Sequence, residues 1–185
     1  MVSTLTRLAV GGDRVTRRAA MLALGFLGTF DEHKILGRAL QDPDRAVRLI
    51  AENGIRELWR RDGADTHQKR LDVIIRLNGS GQYERAVEAA TELIEECPWY
   101  AEAWNQRAIA YFHLGEYEPS ANDCQQTLEL NAYHFAAAVG MGQCYLEMGD
   151  AFAALECFRR ALRINPGLEA VRMQVQYLKR TLEEK

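Results

Sequence analysis

Gly81, Gly115 and Gly149 are spaced 34 residues apart, twice in succession, and each sits in the same local pattern. Gly81-Gln82-Tyr83 leads to Ala86, Gly115-Glu116-Tyr117 to Ser120, and Gly149-Asp150-Ala151 to Ala154. Leu77, Tyr111 and Tyr145 precede the three glycines by four residues, Ala90, Cys124 and Phe158 follow by nine, and Pro98, Ala132 and Pro166 by seventeen. A fixed period of this length marks a stack of like units, each burying its apolar face against the next. Such a stack has one exposed inner face, and that is where function is sought.

Helical periodicity fills each unit. In the second, Trp104, Ala108 and Tyr111 share one stripe, so the spacing predicts that they are buried together. Gly115 then ends the first helix, because glycine adopts the left-handed backbone needed there without penalty. Pro119 falls in the first turn of the next helix, where its missing N–H removes no internal hydrogen bond. These residues resemble the tetratricopeptide repeat, a helix–turn–helix unit. The third unit carries Gly142, Tyr145, Gly149, Ala154, Phe158, Ala161 and Pro166, with Ala138 in place of an early aromatic. The second keeps Trp104, Ala108, Tyr111, Gly115 and Tyr117, with Ser120 and Ala132 as departures. The first keeps Gly81, Tyr83, Ala86 and Pro98, but Arg70 replaces the aromatic and Ile74 the small residue. Beyond Pro166, Val171, Val175, Leu178 and Leu182 form the apolar stripe of a capping helix over residues 168–184.

The N-terminal third has a different repeat. Asp13-Arg14-Val15-Thr16-Arg17-Arg18-Ala19-Ala20 aligns with Asp44-Arg45-Ala46-Val47-Arg48-Leu49-Ile50-Ala51, an offset of 31 that also pairs Leu5 with Leu36 and Arg7 with Arg38. Residues 3–61 resemble short HEAT repeats, the first lacking its opening helix. The resemblance implies an arginine ladder, with Arg14, Arg17, Arg18, Arg45 and Arg48 available to pair with Asp13, Asp42 and Asp44. The expected organisation is HEAT-like repeats over 1–63 and, over 64–185, repeats at about 67–100, 101–134 and 135–168 plus the capping helix. A tight polar turn at 60–66 joins the two parts. The expected fold class is all-α: roughly eleven helices in a right-handed superhelix, a solenoid of stacked antiparallel helix pairs.

Composition removes several function classes. Net charge is -3, with 11 Lys/Arg and 9 Asp/Glu in residues 1–66 against 12 and 17 in the rest. No basic, aromatic-interleaved surface for nucleic acid is indicated. No apolar run reaches a membrane-spanning length, and the first residues lack the order of a secretory signal, so a cytoplasmic location is expected. Cys97, Cys124, Cys144 and Cys157 show no CxxC spacing and are expected to be buried free thiols. His33, His67, His113 and His134 show no zinc-ligand spacing and are expected at the surface, leaving no metal or cofactor site. Gly11-Gly12 and Gly79-Ser80-Gly81 follow no strand and are helix-joining turns, so no phosphate loop and no enzyme site emerge.

The resemblance places the first helix of each repeat on the concave face. Leu71, Ile75 and Asn78, then Asn105, Gln106, Ile109, Phe112 and His113, then Val139, Gln143 and Leu146 are the expected groove residues. In the family, a chaperone-tail carboxylate is clamped by Lys, Asn and Arg at set positions; here Leu71, Ile75, Gln106, Ala136 and Gly140 occupy those places. The expectation is a non-catalytic scaffold with a protein or peptide partner, its amides bonding the partner's backbone around an apolar centre. A second reading is a homodimer assembled through Trp99, Tyr100 or the terminal helix. A third, of another class, follows from the likeness of residues 3–61 to the HEAT repeats of lyases that attach bilin pigments.

Overall fold

The computed structural model describes residues 2–183 and is all-helical. The chain divides into two compact units: one runs through residue 62 and includes 164–167, and the other comprises 63–163 and the chain from 168.

The first unit holds α1 (Val2–Gly11), α2 (Arg14–Leu27), a single 3-10 turn at Phe30–Glu32, α3 (His33–Ala39) and α4 (Arg45–Arg60). Aspartates start the two long helices. Asp13 accepts from Thr16 N, and Asp44 accepts from Ala46 N and Val47 N, satisfying amides that no helical carbonyl reaches. Helix α1 is the opening helix that the first repeat was expected to lack, and it holds Leu5 and Arg7, the residues that the offset pairs with Leu36 and Arg38 in α3. Met21, Leu24, Leu36, Leu40, Val47, Ile55 and Leu58 form the core. Helices α2 and α4 cross at two glycines: a Cβ on Gly25 would lie 3.0 Å from the Gly54 Cα.

Of the expected arginine ladder, Arg17, Arg18 and Arg48 take part. Arg17 binds Asp42 through Nε at 2.9 Å and Nη2 at 3.0 Å, and Arg18 binds Asp44 at 3.0 and 2.6 Å. Arg48 joins it through the Asp42 carbonyl at 2.7 Å. Arg61 closes the unit by donating to the carbonyls of Gly25, Phe26 and Gly28. These groups serve the fold.

The second unit is three helical hairpins and one further helix: α5 (Asp65–Gly79) with α6 (Tyr83–Glu96), α7 (Ala101–His113) with α8 (Tyr117–Leu130), α9 (Phe135–Glu147) with α10 (Ala151–Ile164), then α11 (Glu169–Glu183). Among the described residues, the positive backbone φ values are those of Gly81, Gly115 and Gly149, at 74°, 79° and 81°. Each glycine closes its helix in the same way. Gly81 N donates to Asn78 O at 3.1 Å and Gln82 N to Leu77 O at 2.9 Å, with matching pairs at Gly115/Glu116 and Gly149/Asp150. The 34-residue period is therefore the period of one backbone device.

Departures from the repeat pattern offset one another in volume. In the third hairpin Gly142 faces Phe158, whose ring would lie 2.6 Å from an added Cβ. In the first hairpin the large residue is Ile74 and the small one Ala90, both fully buried in one cluster. The second sets Ala108 with Cys124, both buried. Ser120, standing where alanine is expected, donates to Ala108 O at 2.7 Å and so leaves no unpaired hydroxyl. Trp104 and Tyr111 are half-buried rather than core: the Arg107 guanidinium lies 4.9 Å and 5.8 Å from their ring centres, and the indole N–H binds Pro98 O at 2.9 Å. In α11, Val171, Val175 and Leu178 are buried and Leu182 partly so. The expected end of that helix at 184 lies outside the described residues.

Candidate peptide-binding face

Helices α5, α7 and α9 carry the residues expected to line the groove, and the structure divides those residues into three groups. Leu71 belongs to none of the open surface: it is 0% exposed and packs in the core of the first hairpin with Ile74, Leu93 and Tyr100. The sequence placed it in the groove because Leu71, Ile74 and Ile75 are all apolar, so period alone does not separate inward from outward positions on this helix.

The second group is the amides of Asn78, Asn105 and Gln106, which bond inside the protein. Asn105 and Gln106 are 6% and 9% exposed. Asn105 Nδ2 donates to Glu102 Oε1 at 3.0 Å and Gln106 Nε2 to the same oxygen at 2.7 Å. Asn78 Nδ2 reaches from α5 to the backbone and side-chain oxygens of Gln106 at 2.9 and 3.0 Å. The other carboxylate oxygen, Glu102 Oε2, binds His134 Nε2 at 2.9 Å. The Ala137 amide donates to His134 Nδ1 at 3.1 Å, which leaves Nε2–H to donate to Glu102. Burial by itself would raise the Glu102 carboxyl; the hydrogen bonds from His134, Gln106 and Asn105 outweigh it and hold the group below its ordinary value. The result is a polar chain that ties α5, α7 and the start of α9 together.

The third group remains accessible. Ile109 is 36% exposed, His113 and Gln143 are exposed, and Ile75, Phe112, Val139 and Leu146 are half-buried. Aromatic packing fixes part of this surface: the His113 ring stacks on Tyr83 at 4.6 Å, and Phe112 meets Tyr117 edge-on at 5.5 Å. The accessible surface is thus an apolar strip on a hydrogen-bonded floor.

Glu102 and His134 were not singled out by sequence. They stand 32 residues apart, close to one repeat period, and that near-match is the available signal. The histidines depart from the surface expectation, since His134 is fully buried and His33 nearly so, stacked on Phe30 at 4.1 Å. All four cysteines are buried free thiols. Donor atoms of His67, Glu96 and Cys97 lie within 4.8 Å of one another, a grouping that no local spacing announces. Trp99 is exposed but Tyr100 is 0% exposed, which removes Tyr100 from any association surface. Among the described residues, no helix is long and apolar enough to cross a membrane.

Comparison with known proteins gives one family. Family models described as tetratricopeptide repeat match residues 101–134 and 135–168. A TPR repeat-containing protein of Rhizobium etli is 30% identical over 142 residues, covering 75% of this chain and 67% of that protein. DnaJ homolog subfamily C member 7 of Homo sapiens is 31% identical over 83 residues, which is 45% of this chain but 17% of the human protein. Among solved structures, the second TPR domain of human RPAP3 in complex with an HSP70 peptide is similar at a TM-score of 0.57 and 26% identity, covering 60% of this chain and 92% of that one. The first TPR of Spaghetti (RPAP3) bound to an HSP90 peptide gives a TM-score of 0.62 at 18% identity, over 65% and 96% of the two chains.

Proposed function

The chain belongs to the tetratricopeptide repeat family, and on that premise we propose that it is a non-catalytic scaffold that binds a peptide segment of a partner protein along α5, α7 and α9. The observation that carries this reading is the set of accessible apolar side chains Ile75, Ile109, Phe112, Val139 and Leu146 on helices where Asn78, Asn105 and Gln106 already donate within the protein. The internal hydrogen bonds hold the three helices in place before a partner arrives, so the partner bears most of the ordering cost. The peptide complexes of its structural neighbours support a peptide as the occupant.

The chemistry of the strip sets the kind of peptide. Leu71, Ile75, Gln106, Ala136 and Gly140 offer no cation to fix a terminal carboxylate, and two of them, Leu71 and Gln106, are buried. The segment that fits is an amphipathic helix laying its apolar stripe over Ile109 and its neighbours. Capture from lysate by wild-type protein and by Ile109→Asp, followed by mass spectrometry, tests the reading. A partner held by the wild type and lost from a fully helical Ile109→Asp supports it; identical captures from both refute it.

A further inference from the structure

We propose that His67, Glu96 and Cys97 form a binding site for a divalent transition-metal cation of the zinc type. The hairpin topology builds the site. His67 sits in the first turn of α5, Glu96 is the last residue of α6, and Cys97 is its cap, so the antiparallel pair brings residues 29 and 30 positions apart together. His67 Nε2 lies 3.1 Å from Glu96 Oε1, and Cys97 Sγ lies 3.5 Å from both ring nitrogens.

These separations match a cation's needs. Zinc bonds of roughly 2.0–2.2 Å to nitrogen and oxygen and about 2.3 Å to sulfur, at tetrahedral angles, set donors about 3.3–3.6 Å apart. His67 stands near that spacing from both other donors, and all three lie within 4.8 Å of one another. His67 Nε2 is the ring nitrogen that faces Glu96 Oε1, and Sγ lies 3.5 Å from it. The donor set is sulfur, nitrogen and one oxygen, which favours zinc-type ions over magnesium or calcium. Glu96 is an exposed residue, leaving a fourth position for water.

The repeat supplies an independent argument. One period after Cys97 stands Asn131, and two periods after it Asn165. In both, the side-chain oxygen accepts a backbone amide two residues on, from Tyr133 at 3.1 Å and Gly167 at 2.9 Å. A thiol is too weak an acceptor to replace that turn. The same shift carries His67 onto Ala101 and Phe135. His67 and Cys97 therefore both differ from the residues one and two periods on, and the two meet in space.

Charge is compatible. Arg70 binds the other oxygen of Glu96 and lies 3.8 Å from Glu92, so two carboxylates offset its cation and Oε1 stays available. On binding, the metal–sulfur bond replaces the Cys97 S–H bond and the proton leaves to solvent. One thiolate and one carboxylate then balance the dication, with His67 neutral.

The experiment uses the whole chain, freed of metal by a chelator, titrated with Zn²⁺ by calorimetry and with Co²⁺ by absorption. One equivalent bound, a thiolate-to-cobalt charge-transfer band, and at least a tenfold weaker Zn²⁺ affinity in both Cys97→Ser and His67→Gln support the site. Cys157→Ser should leave affinity unchanged. If Cys97→Ser fails to fold, His67→Gln and the wild-type cobalt spectrum decide the matter. No saturable Zn²⁺ binding, a cobalt spectrum without the thiolate band, or undiminished affinity in folded His67→Gln overturns it.

Discussion

His134 donates its Nε2–H to Glu102 Oε2 at 2.9 Å, joining the residue just before α9 to the first turn of α7 inside the protein. Truncating His134→Ala leaves a buried carboxylate short of a partner. A loss of about 3 kcal/mol is expected, the scale for stranding a buried charged group, and urea unfolding measures it.

The same pair gives a pH dependence. The folded-state pKa of Glu102 is below its ordinary value of 4.5, so its contribution to stability is complete above that pH. It is lost as pH falls through the folded value. Melting curves from pH 6 to pH 3 should decline more steeply for the wild type than for Glu102→Gln, which has no carboxyl to protonate.

Asp62 acts in the opposite sense. Burial first, and the nearby Asp31 charge second, raise its pKa from 3.8 to about 6. The folded state holds a proton that the unfolded state releases between those values, so lowering the pH from 7 toward 5 adds stability from this group. Asp62→Asn should melt higher than the wild type at pH 7, with the difference shrinking at pH 5.

Gly142 and Phe158 offer a packing test. An alanine at 142 would place its Cβ 2.6 Å from the Phe158 ring, and overpacking of this kind costs about 1–3 kcal/mol. Combining Gly142→Ala with Phe158→Leu should recover part of that loss, so the two effects should not add. Additive losses in a double-mutant cycle would show that the two positions do not share one space.

On the accessible strip, Ile109 and Phe112 should differ. Ile109→Asp alters a side chain that is 36% exposed and should shift the melting temperature little. Phe112→Asp also breaks the edge-on packing against Tyr117, so it should lower the melting temperature more while retaining helical circular dichroism.

Much of the helix order was legible in the sequence. The three glycines set the ends of α5, α7 and α9, because the left-handed turn is a local requirement that glycine alone meets cheaply. The segments beginning at Asp13 and Asp44 likewise showed a second repeat, of 31 residues. These are signals carried by a residue and its near neighbours. The groove list was less legible. Leu71 and Ile75 lie four apart and both are apolar, yet one is fully buried and the other half-exposed. Asn105 and Gln106 read as groove amides because their acceptor, Glu102, looked like an ordinary charged residue in a helix's first turn.

What the sequence determined by itself was the period, the turn chemistry and the all-helical class, since each depends on backbone preferences over a few residues. What the tertiary structure decided was which polar groups remain available. A hydrogen bond between hairpins engaged Asn78, hydrogen bonds along α7 engaged Asn105 and Gln106, and the closing of one hairpin brought His67 to Cys97. The Asn78–Gln106 and His67–Cys97 pairings join residues 28 and 30 positions apart, and the others bend a side chain back along its own helix. Only the packed helices fix such distances, because a chain's local preferences do not record which neighbour each side chain will meet.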